Sequence, residues 1–323
     1  MTRLLARRAA QGVVIVWLVA TFTFVLIALA PGDIVDATVS LDRSSAVTRA
    51  HLRAELCLDR GLVVRYGCWI RSLATGNLGW SLARRRPVSA LLAEAIPNTL
   101  LLMGLAIAGS LLLGLAAGIA QAWRPRSALD RGIGAISMFF YSMPDFWLAL
   151  ILMFLFAYLA HWFPVSGTTD PAVYPSLGFW GRFGDRARHL VLPAGTLILL
   201  TSAAVSRFQR SAMLEVLAQD FVRTARAKGL SEWQVLTRHV LRNALLPVIT
   251  LLGLSLPGLL GGAVLVERVF SWPGMGMLAT AAVTDRDYPL VVAATVVASV
   301  MVVVGSLLAD VLYALVDPRV RAG

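Results

Sequence analysis

The chain has 323 residues, of which 58% are hydrophobic and only 15% charged. So few charges cannot cover so much apolar side chain in water, which excludes an ordinary soluble domain and makes the bilayer the expected solvent. The net charge of +11 would suggest nucleic acid in a soluble protein. Here the arginines flank apolar runs and do not interleave with aromatics in a basic stripe, so no nucleic-acid partner is expected.

Charge-free runs long enough to cross about 30 Å of hydrocarbon predict six transmembrane helices. The first, Ala9 to Ala30, follows Arg3, Arg7 and Arg8. A cleaved signal peptide is the competing reading, and the run of more than about 20 uncharged residues favours an uncleaved helix. Residues 31–97 are too long for a plain turn and predict a small extracytoplasmic subdomain. Within it, Leu52, Leu56, Val63, Val64, Tyr66, Trp69, Ile70 and Leu73 alternate with charged residues as in an amphipathic helix. Its two cysteines, Cys57 and Cys68, either form a disulfide, favoured in an oxidising compartment, or remain buried free thiols. A metal site is not expected, because His51 alone does not complete one. Gly76 to Gly79 reads as a turn, and Pro87 to Ile96 as a short surface helix before Pro97 opens the second span.

The second span runs from about Asn98 to Trp123 with glycines at 104, 109, 114 and 118, which suit either static close packing or a bundle that rocks. The third, about Gly134 to Ala160, is interrupted at Pro144-Asp145. Asp145 faces a polar pathway or pairs with an arginine, and is the pathway candidate. The fourth is about Leu190 to Ser206, the fifth Leu245 to Val266, and the sixth Tyr288 to Ala309, with Asp310 at its end in a capping or packing role. Arginine placement in the short loops puts both termini in the cytoplasm. The domains are therefore 1–30, 31–97 and a core of 98–323 that carries a cytoplasmic stretch at about 207–245.

That stretch holds the only lysine, Lys228. From Met213 to Lys228, Leu214, Leu217, Phe221 and Ala225 fall on one helical face. Gly229 suits a left-handed helix terminus, and Ser231 and Gln234 have capping-box spacing for a helix over Glu232 to Asn243. The prediction is a helix–glycine–helix knob presented to a soluble partner. No HExxH, GxSxG, CxxC or GxxxxGK[ST] occurs, so neither an active site nor a phosphate loop is expected in this chain.

Arg223-Thr224-Ala225-Arg226-Ala227-Lys228-Gly229, followed by Arg238-His239 and Leu241 to Pro247, resembles the EAA-type coupling loop of ABC-importer permeases. The form is that of the B-type subunit of the dipeptide/oligopeptide/nickel branch. The resemblance extends through Ala30-Pro31-Gly32-Asp33, Gly76 to Gly79, Arg86-Pro87-Val88, His189 to Pro193, Glu267 to Gly276, Asp287-Tyr288-Pro289 and Asp310 to Arg321. It departs where the motif's glutamate is absent near Arg223-Thr224-Ala225, at Asn77 in place of an aspartate, and at Asp145.

The resemblance implies an all-α polytopic protein of the type I ABC-importer permease fold in a bacterial or archaeal cytoplasmic membrane. It implies a homologous C-type permease, two nucleotide-binding ATPase subunits that carry ATP and Mg, and an extracytoplasmic substrate-binding protein as partners. Asp220, Phe221, Arg223, Thr224, Ala225, Arg226, Ala227, Lys228 and Gly229 would couple to the ATPase. Di- or oligopeptides are the expected cargo. Nickel or a metal chelate, and glutathione, are the alternatives, and a receptor or scaffold that recruits a cytoplasmic adaptor is the rival class. Scarce histidine and the lack of intramembrane cysteine argue against direct binding of bare metal.

Overall fold

The computed structural model describes residues 2–29, 57, 59–81, 83–245, 247–248 and 263–316. Leucine- and alanine-rich runs form helices because these residues lose little freedom in a helix, and lipid offers the backbone no other hydrogen-bond partners. In chain order the elements are α1 (Thr2–Leu29), α2 (Leu62–Ala74), a hairpin of β1 (Trp80–Ser81) and β2 (Arg86–Pro87), α3 (Val88–Trp123), α4 (Ala128–Tyr141) and α5 (Asp145–Leu152). There follow α6 (Phe179–Leu217), α7 (Asp220–Ala227), α8 (Glu232–Gln234, continued by the π-helical Val235–Val240), α9 (Val264–Val269), α10 (Met275–Thr284) and α11 (Tyr288–Val316).

Among the described residues, four helices are long and apolar enough to span a membrane: α1, α3, α6 and α11. A fifth candidate is the pair formed by α4 and by α5 with its π-helical extension to Leu159, bent by 104°. The break falls at Pro144, which stands at the N-cap of α5, so the predicted third span is broken where proline excludes the helical conformation from the residue before it. Most of the predicted fifth span lies outside the described residues.

The predicted surface helix over Pro87 to Ile96 is corrected. It is the first part of α3, which runs unbroken through Pro97. Val88, Leu91, Leu92 and Ala95 are buried against Met275, Leu278 and Ala282 of α10 and Leu290, Ala293 and Ala294 of α11. That apolar stripe outweighs the one backbone hydrogen bond the proline removes.

The long helices pair in two ways. Arg8 of α1 meets Asp310 of α11 at 3.4 Å, and Ala20 packs with Val292 and Val296, so α1 and α11 are antiparallel. Helices α3 and α6 run parallel. A Cβ added at Gly114 would lie 2.6 Å from Val205, and one at Gly118 would lie 2.8 Å from the Ser206 carbonyl oxygen. These two glycines allow the backbones to approach, as small residues do between membrane helices. The main apolar core joins Leu102, Met103 and Ala106 of α3, Ala149 of α5, Leu190 and Leu197 of α6, and Val266, Phe270 and Trp272.

The hairpin is held at its base. Ser81 is buried and donates to the Asp287 carboxylate just before α11, and Asn77 Oδ1 accepts from the Gly79 amide in the turn preceding β1. Cys57 and Cys68 are joined as a disulfide, with Cα atoms 6.7 Å apart.

Candidate functional site: the helix–glycine–helix projection

Helix α6 ends at Leu217, and the chain turns through Ala218 and Gln219 before α7 begins at Asp220. The continuous helix expected from Met213 to Lys228 is therefore two helices. The face expected for it is corrected too: α7 buries Val222 and Ala225, one turn apart, while Phe221 is 40% exposed. Val222 and Ala225 pack with Ala122 of α3, Ala212 and Met213 of α6, and Val235, Leu236, Val240 and Ala244 of α8 and its continuation. Hydrophobic burial thus fastens the projection to the ends of two spanning helices.

The turn between α7 and α8 has Gly229 at φ +77°, a left-handed conformation costly for residues with a Cβ. Its amide donates to the Arg226 carbonyl at 2.9 Å, which closes α7. Helix α8 opens with the full capping box. Gln234 N–H donates to Ser231 Oγ at 3.3 Å, and Ser231 N–H donates to Gln234 Oε1 at 3.1 Å. Arg226 spans the turn with paired hydrogen bonds of 2.9 and 3.1 Å to Glu232. Trp233 lies against Trp123 at the end of α3, with ring centroids 5.4 Å apart.

Of the nine residues predicted to couple, Asp220, Phe221, Arg223, Thr224, Arg226, Ala227, Lys228 and Gly229 are exposed on the projection. Ala225 faces inward and belongs to its base. Asp145 lies elsewhere, half-buried at the first position of α5, where its Oδ1 accepts from the Phe146 amide at 2.8 Å.

Two polar clusters escaped the sequence reading. In the first, Arg210 of α6 makes two 2.7 Å hydrogen bonds to Asp130 of α4. Gln121 of α3 donates to the Asp130 carbonyl oxygen at 3.2 Å and accepts from Ser206 at 2.9 Å. The available signal was Ser127-x-x-Asp130, a capping spacing that holds the one carboxylate between Glu94 and Asp145. In the second, the fully buried Glu267 accepts from Thr99 Oγ1 at 2.8 Å and from the Met277 amide at 2.9 Å. Thr99 Oγ1 in turn accepts from the Met275 amide at 2.7 Å, and Trp272 Nε1 donates to the Asn98 carbonyl at 3.0 Å. This cluster ties α9, α10 and the intervening loop to α3.

The structure is thus a bundle of membrane-length helices with a capped helical hairpin fixed to one end. The chain belongs to the family described as binding-protein-dependent transport system inner membrane component, whose model matches residues 110–322. The N-terminal model of the same kind of component matches residues 1–103. It is 40% identical to the oligopeptide transport system permease protein AppB of Bacillus subtilis (strain 168), over 99% of this chain and 100% of that protein. It is also 40% identical to the di/tripeptide transport system permease protein DppB of Pseudomonas aeruginosa (strain UCBPP-PA14), over 99% of each. Among solved structures, an inward-facing MetNI methionine ABC transporter chain superposes with a TM-score of 0.54 at 18% identity, covering 72% of this chain and 98% of that one. The fold is thus that of the ABC-importer permeases, and the resemblance read from the coupling loop holds over the whole chain.

Proposed function

We propose that this chain is a permease subunit of an ATP-driven importer of di- or oligopeptides. In this reading it forms the translocation pathway with a homologous C-type permease and receives cargo from an extracytoplasmic binding protein. ATP and Mg2+ are held by two separate ATPase subunits, and this chain carries no hydrolytic step. It lies in the cytoplasmic membrane with both termini inside, the segment between α1 and α3 on the outer side, and the α7–α8 projection in the cytoplasm.

The observation that carries the reading is the two-sided build of α7. Val222 and Ala225 anchor it to α3 and α6, while Asp220, Arg223, Thr224, Arg226 and Lys228 face outward. A partner that pushes on the exposed side moves a buried apolar base, and that base is continuous with two spanning helices. Asp145, at the bend between α4 and α5, is the proposed pathway residue. The peptide cargo is supported by the transport systems named for the full-length relatives.

The test is reconstitution of this chain with its partner permease and ATPases in vesicles, with the binding protein supplied outside. Uptake of labelled dipeptide that requires ATP is expected. Uptake of nickel chelate or glutathione without dipeptide uptake would reassign the cargo. Failure of the chain to co-purify with any ATPase would overturn the importer reading.

A further inference from the structure

Helix α2 does not stand apart from the spanning bundle. Tyr66 Oη and Thr21 Oγ1 of α1 are 2.7 Å apart, and the Trp69 ring stacks on Phe24 at 5.4 Å. Trp69 and Leu73 also pack with Ala20 of α1 and with Val292 and Val296 of α11.

The depth of these contacts can be read from two helices independently. Thr21 and Phe24 precede the end of α1 at Leu29, which at 1.5 Å per residue places them roughly 12 and 8 Å below that end. Val292 and Val296 follow the start of α11 at Tyr288, roughly 6 and 12 Å below the same end of the bundle. Both readings place α2 beside the apolar spans, near the boundary between acyl chains and headgroups.

Beside α2 the surface of α1 is apolar and exposed. At this level α1 turns outward Phe22 (65% exposed), Leu26 (53%) and Leu29 (76%). Helix α2 itself has no buried residue and presents Leu62, Val63 and Val64, with Val63 84% exposed. Its only charged residues are Arg65 and Arg71, and the exposed turn before it carries Asp59 and Arg60. An exposed aliphatic triplet bracketed by charges suits a headgroup boundary, where aliphatic side chains reach the acyl region and arginine stems extend to phosphates. Water would leave the triplet unsatisfied.

We propose that α2 is an interfacial helix bound by phospholipid, in the outer leaflet under the orientation above. Acyl chains cover Leu62, Val63 and Val64, and headgroup phosphates meet Arg71. The proposal rests on the chain spanning a membrane and not on the identity of its cargo.

The test uses the full chain with its partner subunits in phospholipid nanodiscs, with a nitroxide on Val63→Cys, Arg71→Cys or, as a water-exposed control, Ser176→Cys. The native cysteines are paired, so the label attaches to the introduced thiol, and Val63 is exposed enough that its replacement leaves packing intact. The ratio of relaxation by oxygen to relaxation by a water-soluble nickel complex is expected to be roughly threefold or more higher at 63 than at 176, with 71 between them. Equal ratios at 63 and 176 would overturn the proposal. So would a label at 63 that is shielded only when the external binding protein is added, because that face would then serve a protein. As a second measurement, a photoreactive residue at 63 is expected to capture phospholipid, and capture of the binding protein instead would count equally against the proposal.

Discussion

Gly229 carries a conformational demand without a steric one. Its φ is +77°, yet a Cβ added there meets nothing within 4 Å. A side chain is therefore resisted by the backbone, by about 1 kcal/mol, and asparagine and aspartate tolerate this region better than other residues. The two differ in charge and little in shape. Gly229→Asn is expected to keep ATP-dependent uptake within about twofold of the parent, and Gly229→Asp to lose about tenfold at equal expression, because the added charge meets the docking partner. Uptake assays on matched vesicles check this, and equal uptake by both variants would remove Gly229 from the contact. Glu267 has the opposite character, being fully buried and fully used. Its carboxylate accepts from Thr99 and from the Met277 amide, and the Gly276 amide also bonds to it. Glu267→Gln keeps the volume but sets an amide against donors, leaving one donor unmatched at a cost of about 1–3 kcal/mol. A lowered thermal unfolding midpoint in detergent is the expected result.

At the scale of elements, the Asp130–Arg210 pair clamps α4 onto α6 close to the base of the projection. Asp130 is buried, and the Arg210 side chain is 30% exposed. Asp130→Asn is expected to cost roughly 1–3 kcal/mol, less than a fully buried pair would, because solvent reaches the arginine. Denaturation of the variant checks the stability loss, and double substitution with Arg210→Met is expected to recover part of it. Elements differ in how much of them the sequence discloses. The Gly229 turn and the start of α8 were legible because their devices are local, the glycine and the capping box lying within about one helical turn of each other, whereas the break before α7 was not. The extension of α3 through Pro97 was not, since the decisive contacts come from α10 and α11, some 180 residues away in sequence. The face that α7 buries was only partly legible for the same reason: the spacing puts Ala225 on the apolar face, but that Val222 and not Phe221 joins it depends on Met213 and Val235 and not on α7 alone. The Asp130 and Glu267 clusters likewise join residues from distant helices: the Ser127–Asp130 capping spacing marks a helix start but not the Arg210 and Gln121 partners that the carboxylate meets.

Across the whole molecule, the Arg8–Asp310 contact brings the beginning of the first spanning helix beside the last part of the final one. In membrane vesicles of known sidedness, cysteines introduced singly at 8 and 310 are expected to react with an impermeant thiol reagent only from the cytoplasmic face. Labelling from the outside at either position would invert the proposed orientation. Two features also give the molecule a length scale beyond the bilayer. Helix α6 has 39 residues, so at 1.5 Å per residue it is about 58 Å long, nearly twice the hydrocarbon thickness. Its parallel partner α3 is bound to it at Gly114 and Gly118 with no room for an intervening side chain. The pair therefore forms one long, closely packed rod. Tilting a rod of that length by about 5° displaces its far end by about 5 Å, the rise of one helical turn. Pro193 sits inside the rod at a missing backbone hydrogen bond, the point where the helix bends most easily. A tilt of a few degrees at the α7 end of such a rod corresponds to a displacement of about the width of an amino acid at its other end.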